Sequence, residues 1–443
     1  MRLLTKHLSF LVFCLFSMTE VQAINLVEAY TLARDNDPAF KAAFYAHQAG
    51  QEFKALGRSN LLPVITASYS RYKNHADIDF ENGLISRTEE RKYASQTASV
   101  QLRQPLINFD GYARYKQGVA QTALSDQEFA IREQELILRV FNRYAAVLYA
   151  EDMLGLAKTK RAAYAAQKQA NLFMFENGEG TKTDILESQA KYDLAEADIV
   201  EAQNILNDAR TTLNRVLGRK VDEIQPLIED FATLPVEPIN LEQWESLALK
   251  SNLELAAQRH SLEVAEQEVN RSKAAYMPRL DAVMSWNNNV SDTTNTYNQD
   301  ATVNSIGLQF TLPIYSGGAT PARVSQSKAN LLKAKAEFDE KANTVIIELQ
   351  KQFNLVLDSK LRLTALTTAV NSAQLLVKAT HKSIKGGTRT NIDVLNAESQ
   401  LFEAKGDLLL ARYNYLQSYL NLKKVTGTLG FDDLQIVAAQ FKN

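Results

Sequence analysis

Four stretches of the chain alternate apolar and polar side chains with a period of two, which predicts β-strands with one apolar face. Their bounds are about 63–73, 96–106, 279–289 and 303–313. Each pair is bracketed by prolines, which suit strand boundaries because they cannot donate to a ladder. Such alternation is typical of barrel strands between lipid and water. It is equally compatible with an antiparallel sheet on a water-soluble core.

Most of the remaining chain has helical periodicity. Leu136, Val140, Tyr144 and Val147 form a stripe with steps of four, four and three residues. The proline-free stretch from Gly111 to about Asn177 would form a helix about 100 Å long, a length that indicates a coiled coil. Shorter helices, expected as partners of the long ones, lie near residues 25–57, 184–217, 240–275 and 393–425.

The same order of elements occurs twice. Ile24-Asn25-Leu26 recurs 215 residues later as Ile239-Asn240-Leu241, and Phe129 recurs 209 residues later as Phe338. The first copy therefore contains about six more residues, which we place in a polar loop within 74–91 because length changes concentrate in loops. The predicted organisation is a leader (1–23), a first repeat (24–238), a second repeat (239–430) and a C-terminal tail (431–443).

The leader has the pattern of a secretory signal peptide. Arg2 and Lys6 form a basic start, residues 8–16 are mostly apolar, and Ala23 ends a plausible cleavage site. The only cysteine, Cys14, lies within this leader, so we expect no disulfide and no thiolate metal site in the mature chain. No later stretch approaches the ~18 consecutive apolar residues of a transmembrane helix. Entry into a membrane would therefore require strands.

Charge and side-chain chemistry exclude several classes of protein. The formal net charge of −2 argues against a nucleic-acid partner. The histidines are scattered, and no nucleophile motif or metal-ligand spacing indicates an enzyme or a cofactor. Four strands are too few to close a membrane barrel, which needs about eight. Three chains would supply twelve strands under a closed symmetry, so the strands predict a homotrimer if they span a membrane.

Several motifs resemble the TolC family of outer-membrane factors. They are Gly387-Thr388-Arg389-Thr390, Asp393-Val394-Leu395, the segment from Ala404 to Tyr415 and, in the first copy, Thr183-Asp184-Ile185-Leu186. The resemblance covers essentially the whole mature chain, including the duplication. It implies a mixed α and β fold in the bacterial outer membrane with a large periplasmic part. Long helical hairpins would form a periplasmic α-barrel, and four strands per protomer would contribute to a shared 12-stranded transmembrane β-barrel.

The resemblance also implies roles for residues at the periplasmic tip. Arg389 would hold the tip closed by bonding Thr183 and Asp184 on the neighbouring helix pair. Asp393, with Asp184, would line the pore constriction. Three Asp393 carboxylates around one axis would attract an inhibitory multivalent cation, although no resident metal is expected. An aspartate at a helix start is also a common cap, and the two roles are compatible.

Two residues depart from the family pattern. Asn396 stands where an acidic residue is expected, so the acidic ring would carry less charge. Ile384 stands where a tyrosine joins the closing contacts, so the tip would be held more weakly or differently.

The predicted function is the exit duct of a tripartite export system, without enzymatic activity. The expected partners are a homotrimer, a periplasmic adaptor protein, an inner-membrane transporter of the ABC type and outer-membrane lipid. Many efflux members carry a lipid-modified cysteine at the mature N-terminus, and none is expected in this chain. Type I protein secretion is therefore favoured over drug efflux. An exported structural coiled-coil protein is the alternative from another class, but it leaves the proline-bracketed strands unexplained.

Overall fold

The computed structural model describes residues 23–82, 85–228, 231–291, 299–385 and 388–442. The expected leader thus lies outside the described residues except for residue 23, as does Gly387. The helices of the described chain are α1 (Leu26–Asn36), α2 (Pro38–Ser59), α3 (Phe109–Glu176), α4 (Lys182–Leu217), α5 (Leu241–Ser251), α6 (Leu253–Ala274), α7 (Ala319–Lys385), α8 (Asn391–Val425) and α9 (Phe431–Ala438). The strands are β1 (Val64–Asn82), β2 (Ile85–Ile107), β3 (Arg279–Ser291) and β4 (Gln299–Thr311).

Two long helical hairpins, α3–α4 and α7–α8, dominate the structure. Helices α3 and α7 contain 68 and 67 residues. The apolar stripe predicted on the first of them is buried, as is its counterpart on the second. These two stripes are Leu136, Val140, Tyr144 and Val147 on α3, and Val345, Leu349, Phe353 and Val356 on α7. Burial of matching stripes explains why both copies fold alike.

The helices expected over 25–57 and 240–275 are each broken into two, which corrects the prediction of single helices. The Asp37 side chain accepts the Ala39 N–H at 2.7 Å and starts α2, with Pro38 in its first turn. In the second copy the Asn252 side chain accepts the Leu255 N–H at 2.9 Å and starts α6. The two capping residues occupy equivalent positions of the repeat.

The strands form one antiparallel sheet in the order β1-β2-β3-β4. The polar loop expected within 74–91 is wrong: β1 and β2 pair continuously from Val64↔Arg103 to Asn82↔Ile85. They contain 19 and 23 residues, against 13 in each of β3 and β4. At 3.3 Å per residue, β1 is therefore about 60 Å long and the described part of β3 about 43 Å.

Within the described ranges, no helix is both long enough and apolar enough to cross a membrane.

A central core joins the middle of the hairpins to the chain ends. Tyr144 is fully buried, and its hydroxyl donates to the carbonyls of Ile24 at 2.9 Å and Gln225 at 3.0 Å. The C-terminal segment is also packed here, with Phe441 buried and the Lys442 N–H bonded to the Pro226 carbonyl at 2.8 Å. The expected tail thus contains α9 and contributes to the core.

Candidate functional site at the hairpin tips

The inter-helix turns of the two hairpins lead into α4 and α8, and the predicted site residues lie there. Helix α4 starts with a capping box, in which Thr181 is the cap and Asp184 the third helical residue. The Asp184 Oδ2 accepts the Thr181 N–H at 3.0 Å and its hydroxyl at 2.6 Å. In return, the Thr181 hydroxyl oxygen accepts the Asp184 N–H at 3.2 Å. Thr183, between them, is exposed.

The start of α8 repeats the contacts accepted by the aspartate, whereas the Asp393 N–H donates to the Thr390 carbonyl at 3.1 Å. The Asp393 Oδ2 accepts both the Thr390 N–H and the Thr390 hydroxyl at 2.9 Å. The Arg389 guanidinium lies 3.6 Å from Asp393 Oδ1, and about half of its side chain is exposed. The Thr390 backbone N–H, then its hydroxyl and Arg389, lower the pKa of Asp393. The Asp393 carboxylate therefore keeps its charge at neutral and mildly acidic pH.

Some of the contacts predicted for these residues are present in the structure, and others are not. The structure brings Arg389 to Asp393 within one hairpin, and it places Asp184 against Thr181. Bonding of Arg389 to Thr183 and Asp184 on a neighbouring hairpin stays a prediction, as does the pore ring. Asn396 is exposed and Ile384 is half-buried, beside this site on the second hairpin.

A polar tie between the hairpins was not predicted from the sequence. Asn171, on α3, is only 1% exposed, and its amide donates to the Asp184 carbonyl at 2.9 Å. Gln167, one turn earlier, donates to Asn171 Oδ1 at 2.9 Å and to Asn391 Oδ1 at 3.2 Å. The two residues therefore fix the starts of both α4 and α8 against α3. The sequence gives no clear signal for this tie, because Gln and Asn side chains on a helix are usually exposed to solvent.

An apolar cluster lies beside this polar tie. Tyr164, Ala195 and Leu395 are fully buried together. Nearby, His381 lies 3.6 Å from Glu398, whose pKa burial raises. Among the described atoms, the Tyr164 hydroxyl and Glu398 Oε2 are buried without a hydrogen-bond partner.

A second bond between the hairpins lies closer to the central core. The Tyr413 hydroxyl, on α8, donates to Asp152 Oδ2, on α3, at 2.8 Å. Burial raises the pKa of Asp152, and the Tyr413 bond opposes that effect in part. The hairpins are thus joined at two levels by half-buried polar contacts.

Metal binding within one chain has no support in the described part. No group of three or more histidine, cysteine, aspartate or glutamate side chains there could hold a metal ion. An inhibitory cation at Asp393 would need carboxylates from other chains, so that site also stays a prediction.

The comparisons with known proteins cover nearly the whole chain. A model of the family described as outer membrane efflux protein matches residues 29–219 and 244–428. The alkaline protease secretion protein AprF of Pseudomonas aeruginosa is 38% identical, over 97% of this chain and 90% of its own. The proteases secretion protein PrtF of Dickeya chrysanthemi is 35% identical, over 95% and 92%.

A solved structure shows the same fold. The CmeC outer membrane channel of Campylobacter jejuni superposes with a TM-score of 0.78, covering 94% of this chain and 89% of its own, at 16% identity.

Proposed function

The chain belongs to the outer membrane efflux protein family, and we propose that it is the exit duct of a type I protein secretion system. The resemblance of its motifs to the TolC family is thereby confirmed, and so are the mixed α and β fold and the outer-membrane location. The observation that carries the proposal is the end-to-end similarity to AprF and PrtF, both of which are named for protease secretion.

A homotrimer is part of this proposal. The outer strands β1 and β4 carry exposed apolar side chains, among them Ile65 at 65% and Ile306 at 80% exposure. An apolar sheet face suits lipid, and outer strands in lipid need partners for their backbone groups. Three copies of the sheet would supply twelve strands and close a barrel.

The proposed mechanism is passive conduction gated at the tip. A periplasmic adaptor would contact the duct, and an inner-membrane ABC transporter would supply the energy for transport. In the closed duct, Arg389 would bond Thr183 and Asp184 of a neighbouring hairpin. The partial exposure of Arg389 and its long 3.6 Å contact to Asp393 support this, because such an ion pair is weak and the side chain can turn to a new partner. Opening would then separate the hairpins at their polar ends.

The test is complementation in a strain that lacks this protein but retains the ABC transporter, the adaptor and a secreted protease. Extracellular protease activity is expected to be lost in the deletion strain and restored by the wild-type chain, with little change in drug susceptibility. Normal protease secretion and increased drug susceptibility in the deletion strain would overturn type I secretion. That result would favour drug efflux, the second candidate, which the family's description supports.

A further inference from the structure

A cleft of about 550 Å³ lies between the two hairpins, several helical turns from the tip residues. It is lined by α3, α4 and α8, so both hairpins contribute to it. The volume is within the range of about 300–1,000 Å³ that is typical of small-molecule sites. It is separate from the capping boxes and from the polar tie of Gln167 and Asn171.

The floor of the cleft is apolar and its rim is acidic. Met153 supplies a sulfur atom, Leu156 a hydrocarbon side chain and Phe402 an aromatic ring. The rim carries four carboxylates and one ammonium group, and the charged residues are Lys160, Asp198, Glu201, Glu403 and Asp407. The rim is therefore negative overall, and it receives carboxylates from both hairpins.

One rim carboxylate is already neutralised. Lys160 Nζ, on α3, lies 2.8 Å from Asp198 Oδ2, on α4. Glu403 accepts a long hydrogen bond of 3.4 Å from the Ser399 hydroxyl, which supplies no positive charge. After the Lys160–Asp198 pair is counted, Glu201, Glu403 and Asp407 give the cleft an excess of negative charge beside an apolar surface.

Gly406 keeps the cleft open. It lies inside α8, where glycine is less favourable than alanine. A Cβ atom at this position would meet the Met153 sulfur at 3.6 Å and Leu156 Cδ2 at 3.8 Å, which are ordinary contact distances. Helix packing therefore does not require glycine at this position. A larger side chain would extend into the cleft and reduce its volume.

We propose that this cleft binds an amphiphilic organic cation. The apolar body of the ligand would lie on Met153, Leu156 and Phe402, and its charged group would face Glu201, Glu403 and Asp407. Anions of the same shape are disfavoured by the rim charge. A bare metal ion would gain nothing from the apolar floor. Because α3, α4 and α8 all line the cleft, the bound cation would contact both hairpins at once.

The test uses the full-length assembled protein in lipid nanodiscs, with empty nanodiscs as the background. Fluorescence anisotropy would measure binding of the cationic dye rhodamine 6G and of the anionic dye fluorescein. We expect saturable binding of rhodamine 6G and none of fluorescein. Gly406→Leu should weaken binding at least about tenfold by filling the cleft. Glu201→Gln should weaken it about threefold by removing one rim charge.

Matched controls distinguish the cleft from general effects. Gly155→Leu adds the same bulk to α3 at a glycine whose Cβ direction is open space. Asp208→Asn removes an exposed charge from α4 away from the cleft. Both controls should bind rhodamine 6G like the wild type. If Gly406→Leu does not fold, Gly406→Ala, whose Cβ fits, should still weaken binding about twofold to threefold.

Two results would overturn the proposal. One is equal binding of rhodamine 6G and fluorescein. The other is unchanged rhodamine 6G affinity in both Glu201→Gln and the folded Gly406 variant.

Discussion

Helix α3 passes through two different environments, and the difference separates the fixed part of the protein from the part that can rearrange. In its middle, Leu136, Val140 and Tyr144 are fully buried in one continuous apolar core. Near its end, the buried set contains Tyr164 and Asn171, the second held by amide hydrogen bonds. Apolar burial is lost whenever elements separate, whereas hydrogen bonds can be exchanged for bonds to water at small net cost. Opening is therefore expected at the tip.

The largest effect is expected from a cavity in the central core. Leu349→Ala, at a fully buried position of α7, should lower the free energy of unfolding by about 2–5 kcal/mol. Leu361→Ala is the control on the same helix, because Leu361 is 71% exposed. Thermal unfolding of the detergent-solubilised protein measures both. Equal losses of unfolding free energy in the two variants would show that the Leu361 side chain is buried in the protein like that of Leu349.

The bond between Tyr413 and Asp152 tests the boundary between the two environments. Tyr413→Phe leaves the half-buried Asp152 carboxylate without its donor and should cost about 1–3 kcal/mol of unfolding free energy. Tyr192→Phe is the control, since the Tyr192 hydroxyl bonds Glu196 on the exposed surface of α4. Its loss should be below about 0.5 kcal/mol.

This substitution also has a pH dependence of known sign. Burial already raises the pKa of Asp152, and removal of the Tyr413 donor raises it further. A carboxyl whose pKa is higher in the folded state destabilises the fold when it is ionised, and that penalty decreases as the pH falls. The stability deficit of Tyr413→Phe should therefore be smaller at pH 5 than at pH 7.5. A larger deficit at pH 5 would contradict the assignment.

Sequence reasoning succeeded where side-chain periodicity and duplication both apply. The stripe from Leu136 to Val147 was readable because an apolar face packs against a core over many turns. The prediction failed within 74–91, where polar composition was interpreted as a loop. Ala76, Ile78 and Phe80 alternate with acidic residues there, so the period-two signal of a strand was present and was overlooked. The break at Asp37-Pro38 was overlooked, although Pro38 suits a helix start.

At the site, the sequence identified the aspartates at the helix starts but not the cap itself. A threonine three residues before each aspartate is a readable capping box, at Thr181 and Thr390. The tie through Gln167 and Asn171 was overlooked because amides on a long helix are normally solvent-exposed. Contacts between protomers depend on the assembly, so the ring of Asp393 could be inferred only through the family.

The proposed acidic ring gives the next largest effect. In planar bilayers, we expect the wild-type channel to have a small conductance that lanthanum(III) blocks. Asp393→Asn should weaken the block at least about tenfold, because three carboxylates are removed from one axis. Asp208→Asn removes an exposed charge from α4 far along the helix from Asp184, and it should leave the block unchanged.

A gain of charge sharpens the same test. Asn396→Asp, one turn after Asp393, should strengthen the block by adding a second acidic position. Block of equal strength in Asp393→Asn and wild type would place the cation elsewhere in the duct.

The smallest effect is expected at the capping box of α4. Thr181→Val keeps the shape of the side chain but removes the hydroxyl that bonds Asp184, at a cost of about 1 kcal/mol. Because the central core is untouched, the loss should be local. Amide hydrogen exchange should accelerate about fivefold in the first turn of α4 and stay unchanged around Tyr144. Thr181→Ser retains the hydroxyl and should exchange like the wild type. Faster exchange around Tyr144 in Thr181→Val would mean that the tip and the core unfold as one unit, which would remove the basis for opening at the tip alone.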